Sequence, residues 1–391
     1  MTGNKVIRVV LIFCLILACG NLVLLGNRNG YNYVVQQNNR FKQISLAYDN
    51  NQGESPFDQS MPGAIEVIIP RSSDVSEIID ILYNLGIIKN KFFFKVLSKF
   101  NGFNGTYQAG THYLSKEMSY DEIMYLLSRP PKPVTITFTE GLSYRQMKDI
   151  LRENGIKFDE QKLDNLIRKP SAFTSYRFVQ DLAIHPDREW LLQGYLWPDT
   201  YQFDANTDEE TIIRTMLNNT EQKLKDSNYY ERAKRMGMTM DEVITLASIV
   251  QQEGSVVEMN KIGKVFLNRL KAERPLESCA SINYLRLEGG EKPRLWASTE
   301  DLRRFRDNPY NTYARHGLPP GPINSPGTIA IESILWPANE STWEGADQYY
   351  FFCAKGDGTN AFAKTLEEHE ANVAKYEALW AEQQENTPAN P

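Results

Sequence analysis

Residues Thr239–Gly254 read TMDEVITLASIVQQEG. Thr239 and Glu242 have the S/T-x-x-E spacing of a capping box, which predicts a helix beginning there, and Gly254 suits a left-handed residue that ends it. Glu253 then falls in the last turn, seven residues after Leu246, four after Ile249 and three after Val250, on their apolar stripe. A carboxyl in that place is expected to be partly buried. Desolvation and the unpaired carbonyls of a helix C-terminus both disfavour its ionised form, raising its pKa toward the range of a general acid at neutral pH. A glutamate at a helix end is in the ordinary case a solvated surface residue, so the stripe by itself assigns no role.

Around this helix lie compact segments rich in aromatics, Pro and Gly. Gly194–Tyr201 (GYLWPDTY) sets aromatic rings and one carboxylate, Asp199, on a turn made by Pro198. Such a turn can line a sugar cleft, with Trp197 stacking on a ring, or form a buried aromatic corner. Lys261–Leu270 (KIGKVFLNRL) predicts a helix with Ile262, Val265, Phe266 and Leu270 toward the core and Asn268 and Arg269 toward the site, with a surface charge as the alternative for Arg269. Pro309–Tyr313 (PYNTY) leads into Gly317–Ile323 (GLPPGPI), too rich in proline for helix or interior strand, hence a rigid loop. Lys355–Gly358 is flanked by Tyr349–Phe352 and Ala361–Ala363 as a β-hairpin, with His369 on a following helix as a solvated residue or, alternatively, one with a structural role.

An internal repeat precedes these segments. Ile65–Pro70 (IEVIIP) predicts a strand, then a helix capped at Asp74, stopped at Gly86 and followed by a second helix from Asn90. Val134–Thr139, Ser143, Gly155 and Asp159–Ile167 repeat that order; Gly86 and Gly155 are 69 positions apart, as are the strand starts Ile65 and Val134. With a strand over Thr106–Tyr113 and a helix over Tyr120–Leu127, residues 62–130 form a small module that resembles a LysM-like domain. That resemblance implies attachment to glycan chains; a spacer is the alternative.

At the N-terminus, Val9–Leu25 is a nearly unbroken apolar run, long enough to cross a bilayer, for which about 20 residues suffice. Lys5 and Arg8 precede it, so residues 1–8 are expected to be cytoplasmic, residues 9–26 to span the membrane once and the rest to lie outside. A lipoprotein signal ending at Cys19 is the alternative. Residues 27–61, rich in Asn and Gln, read as a stalk, and residues 382–391 as a disordered tail. The formal net charge of -6 and the lack of basic runs argue against nucleic acid as a partner. Of 4 cysteines, Cys279 and Cys353 lie beyond the apolar run, as two buried thiols or a bridge. The 4 histidines, His112, His185, His316 and His369, show no metal-ligand spacing, and no nucleotide-binding loop or serine-nucleophile elbow is present, so no cofactor is expected.

The anchor, the LysM-like module, GYLWPDTY, ASIVQQE, VFLNRL, YNTY, GLPPGPI and the YYFFCAKGDGTNAFAKTLEEH ending occur here in one order. In this the chain resembles the YceG-like family, the membrane-anchored endolytic murein transglycosylases. The resemblance implies an α+β fold with its catalytic domain over residues 131–381 and Glu253 as the catalytic glutamate. It implies non-hydrolytic cleavage between N-acetylmuramic acid and N-acetylglucosamine to give 1,6-anhydromuramyl ends. It further implies peptidoglycan strands as substrate, contact with peptidoglycan synthases and a role in trimming nascent strands. One departure stands out: in Leu276–Ser281 (LESCAS), Cys279 occupies the place of an aspartate carried by many relatives.

Glycosidic cleavage needs a proton donor and stabilisation of an oxocarbenium-like centre. When the sugar's own C6 hydroxyl attacks, one glutamate can perform both proton transfers. Tyr310, Asn311, Tyr313 and Asn268 are then candidates for holding acetamido and hydroxyl groups, beside Trp197 and Asp199. Two other functions stay open: a hydrolytic muramidase that uses Asp199 as a second carboxylate, and a non-enzymatic wall-binding scaffold.

Overall fold

The computed structural model describes residues 39–47, 57, 61–70, 73–294 and 296–386. The apolar run expected to span the membrane lies outside them, and among the described residues no helix is long and apolar enough to cross a bilayer. The fold is mixed α+β, with short helices dominating and three two-stranded antiparallel sheets among the described residues. The chain divides into two units, residues 1–133 with 204–206, and residues 134–203 with 207–391.

The first unit runs α1 (39–47), β1 (Ile65–Ile69), α2 (Val75–Asn84), α3 (Lys91–Phe100), β2 (Gly110–Leu114) and α4 (Tyr120–Leu127). Capping boxes at Asp74 and Ser119 start α2 and α4, and the Asn90 side chain caps α3. β1 pairs with β2 in the register Ile65↔Leu114 to Ile69↔Gly110, burying Val67, Ile69 and Leu114 against Leu82, Phe94 and Ile123. The second strand starts later than the spacing predicts. Residues 106–109 instead turn back, with the Gln108 N–H donating to Leu127 O, and Gly110 enters the strand at φ 128, a conformation open to glycine. Part of the segment read as a stalk is helix α1. Its Phe41 ring lies 5.1 Å from Phe103 and its Arg40 is 3.1 Å from Asp121, so its apolar residues are docked on this unit's core.

The second unit contains β3 (Val134–Thr137), α5 (Tyr144–Glu153), α6 (Glu160–Arg168), α7 (Arg177–Gln180), β4 (Thr200–Phe203), α8 (Glu209–Asp226), α9 (Tyr229–Arg235) and α10 (Met240–Glu253). It continues through α11 (Met259–Lys271), α12 (Cys279–Glu288), α13 (Thr299–Arg304), α14 (Thr328–Leu335), β5 (Phe351–Ala354), β6 (Asn360–Ala363) and α15 (Leu366–Asn386). The repeat is real at its helix ends. Gly86 and Gly155 both have positive φ, and Ile87 and Ile156, one residue on, donate back to Leu82 O and Leu151 O, the same left-handed termination in each copy. The tail read as disordered is helical as far as Asn386, in a stretch of Ala, Glu and Gln that favours helix.

α10 is the centre of this unit. Every residue from Val243 to Val250 is buried, so this middle stretch has no wet face; the helix packs on α11, α12 and α14. Its polar residues are satisfied in place: Ser248 Oγ donates to Thr245 O and accepts from Ile323 N, and Ser248 O accepts from Asn324. At the other end of α10, buried Asp241 takes both guanidinium nitrogens of Arg188, at 2.6 and 3.1 Å, and the hydroxyl of Tyr195 at 2.8 Å. Gly263 of α11 lets α14 approach closely, since a Cβ there would stand 2.7 Å from Ser333 O.

Candidate active site

Glu253 ends α10, and the glycine after it serves a different purpose from a left-handed stop. Gly254 is extended, at φ -162, and the site of its missing Cβ is filled by Ile262 Cδ1 at 2.1 Å. A side chain there would have to displace the tip of Ile262 on α11. Glu253 stays partly accessible. Its Oε1 accepts hydrogen bonds from Ser278 Oγ and, at 3.2 Å, from Ala280 N. Ser278 is the N-cap of α12 and Ala280 lies in its first turn, so the carboxyl of one helix's last residue caps the start of another. Burial pushes the Glu253 pKa up, and the two hydrogen bonds pull it down by a smaller amount. The helix end that acts on this group is therefore the N-terminus of α12, opposing the desolvation, and the net direction is still upward.

The loop Leu276–Ser281 is fixed from two sides. Arg269, expected to face the site, is buried but lines a cavity that Glu253 also lines, and it donates to Tyr350 O, Pro275 O, Leu276 O and the Glu277 carboxylate. Glu277 has φ 52, rare for a residue with a side chain, and is held there by its N–H on Thr312 O and its carboxylate on Arg269. On the other side Thr312 Oγ1 accepts from Ser278 N at 3.0 Å and meets Ser281 Oγ at 2.8 Å.

Two cavities meet at Glu253, which lines both of them together with Gln252 and Cys279. The larger, about 450 Å³, is bounded by Trp296, Tyr313, Phe352, Cys353, Asn360 and His369 among others. The smaller, about 290 Å³, is bounded by Ser143, Gln146, Asn283, Tyr284, Arg294 and Asn324 among others. Cys279 and Cys353 are both free thiols. The Cys279 Sγ lies 3.1 Å from the Tyr313 hydroxyl, and burial raises the pKa of both groups. Buried Asn324 donates to Ser248 O, which fixes its amide orientation, and its Oδ1 has no partner. A third hollow of about 970 Å³, lined by Asp241, Arg315 and Pro319 among others, lies at the other end of α10 and includes no part of this constellation.

Of the residues singled out from sequence to hold sugar, Tyr313 alone joins Glu253 in these cavities; Arg269, Cys279, Cys353 and His369 also line the larger one. Asn268 is buried and donates to Ala346 O and Tyr349 O, holding the turn before the hairpin. Asn311 spends its side chain on Phe305 O and Tyr313 N, shaping the loop that presents Tyr313. Tyr310 is buried with its ring 5.0 Å from that of Tyr284. Trp197 belongs to the core, the buried-corner alternative, and Asp199 accepts from Asn219 and Thr200 N, lining neither cavity. His369 is not a solvated residue; it is stacked on Phe351 at 5.2 Å and lines the larger cavity. Ser278 and Trp296 were missed. Ser278 had a sequence signal, a serine just before an apolar helix, but nothing in the sequence tied that cap to Glu253.

Comparison with known proteins bears on this arrangement. The model of the YceG-like family matches residues 67–375. A protein of Bacillus subtilis named endolytic murein transglycosylase is 31% identical over 335 residues, covering 82% of this chain and 87% of that protein. A protein of the same name from Streptococcus pneumoniae is 30% identical over 339 residues, covering 82% of this chain and 60% of that longer protein. The crystal structure of a yceG-like protein from Listeria monocytogenes superposes with a TM-score of 0.52 at 27% identity, over 80% of this chain and 99% of that one.

Proposed function

The chain belongs to the YceG-like family, and from that membership we infer that it is an endolytic murein transglycosylase, a lyase acting on peptidoglycan. It cuts between N-acetylmuramic acid and N-acetylglucosamine within the strand and leaves a 1,6-anhydromuramyl end.

We assign both proton transfers to Glu253. Protonated at rest, it gives its proton to the glycosidic oxygen as the C1–O bond breaks. The C6 hydroxyl of the same muramyl ring then bonds to C1 and returns its proton to the Glu253 carboxylate, so no water is consumed. The observation that carries this reading is the setting of Glu253: a carboxyl raised by burial and aimed by Ser278 and Ala280, at the meeting point of two cavities. The other carboxylate lining them, Glu277, is tied to Arg269 at 2.6 Å, which leaves no second carboxylate there free to activate water. Cys279, which lines both cavities, supplies no carboxylate either, consistent with a one-carboxylate mechanism.

Tyr313, by its hydroxyl, and Trp296, by its half-exposed ring, are the side chains we assign to sugar contact. Residues 62–130 are proposed to grip glycan as a LysM-like module, for which the pairing of β1 and β2 beside α2 and α3 is the support. Residues 9–26 are proposed as a single-pass anchor in the cytoplasmic membrane with the remainder outside, near the synthases whose strands it trims; the apolar run and preceding Lys5 and Arg8 support it.

Mass spectrometry of the fragments released from purified peptidoglycan tests the reaction. The full chain should release anhydromuramyl ends and Glu253→Gln should release none. Reducing muramic acid ends would establish a hydrolase instead, and intact glycan bound equally by both proteins would establish a scaffold.

A further inference from the structure

Helix α3 of the first unit, KFFFKVLSKF, buries only one side. Phe94 and Ser98 face the core at 0% exposure, while Phe92 is 78%, Phe93 53% and Val96 46% exposed. Phe92 and Val96 are four residues apart and form the middle of the outward face, with Lys95 and Lys99 along one edge. Neither lysine has a carboxylate partner among the described residues: Lys95 reaches Ser76 Oγ at 3.1 Å, whereas Lys91 is paired with Asp80 and sits over the Tyr83 ring. Exposed phenylalanines in a contiguous stripe mark an interaction surface. Phenylalanine beside lysine on one helix face is the composition of an element that lies in a headgroup layer, apolar rings among the upper acyl chains and ammonium groups on lipid phosphates.

The chain also limits where this face can be. Residues 26–38 alone separate the apolar run from α1, and α1 is docked on the same unit through Phe41 and Arg40. Fully extended, that tether reaches at most about 45 Å. We propose that the outward face of α3 is a membrane-docking surface that binds anionic phospholipid. It holds the first unit against the bilayer as a second contact beside the anchor. The inference takes from the proposed anchor only proximity; the composition of the face stands apart from it.

The test is hydroxyl-radical footprinting of the full chain in lipid nanodiscs of neutral phosphatidylcholine, in discs with added phosphatidylglycerol, and in detergent micelles. Oxidation of Phe92 and Phe93 should fall severalfold in the anionic discs relative to the neutral ones. The double variant Lys95→Glu/Lys99→Glu should abolish that difference while keeping the circular dichroism of the parent. Equal oxidation in all three settings overturns the proposal. So does equal protection in all three, which would mean that this chain or a second copy covers the face, and so does protection that arises only on adding glycan. Insertion of Val9–Leu25 is read separately, from resistance of the disc-bound chain to alkaline extraction, so failure of the anchor and failure of the docking surface are told apart.

Discussion

Glu253 illustrates how far one residue's chemistry follows from its neighbours. Its pKa is raised by burial and lowered by Ser278 and Ala280. Ser278→Ala removes one of the lowering hydrogen bonds, so the carboxyl should titrate at still higher pH. The basic limb of the kcat profile should move to higher pH while stability falls by about 0.5–2 kcal/mol through loss of the α12 cap; pH-rate profiles and urea unfolding read the two effects. A second expectation concerns linkage. With its folded pKa above its unfolded value, Glu253 holds a proton that the unfolded chain has released, so its contribution to stability is present below the unfolded pKa. That contribution is lost as pH rises through the folded one. Glu253→Gln, which cannot ionise, should therefore have a higher Tm than the parent above neutral pH, a gap that closes in acid; calorimetry at several pH values decides it.

At the scale of elements, the site depends on how α10 is held at both ends. The Asp241 end is fixed by Arg188, whose side chain is fully buried. Arg188→Ala would leave Asp241 buried without its countercharge and should destabilise the protein by about 3–5 kcal/mol, measured by denaturant unfolding. Much of this was legible in the sequence. Asp74, Ser143 and Thr239 cap their helices in the structure as their spacing predicts, because a capping box is satisfied within four residues. Amphipathicity misled at α10 itself. The apolar stripe is not the helix's one buried face: Thr245 and Ser248, outside it, are buried too, since a hydroxyl can bond to its own helix or to a packed loop and so enter a core where a charge could not.

For the whole molecule, the placement of Glu253 where two cavities meet leaves room for sugar on each side of the reacting bond. Digestion of long uncrosslinked glycan should thus yield a broad size distribution from the earliest time points, with disaccharide appearing late; size-exclusion chromatography of a time course checks it, and early release of disaccharide alone would mark a chain-end cutter. The sequence by itself determined the helix starts at Asp74, Ser143 and Thr239, the repeat and the place of Glu253 in the last turn of α10, because each depends on spacings of a few residues. Only the tertiary structure decided which polar residues line the cavities at Glu253 and which serve the frame. Asn268, Asn311 and Trp197 have the chemistry of a sugar site, yet the first two are occupied by backbone groups and the third by the core. Ser278 became a neighbour of Glu253 across 25 residues. Whether a side chain is free for substrate depends on partners distant in sequence, and those partners are set only when the chain has packed.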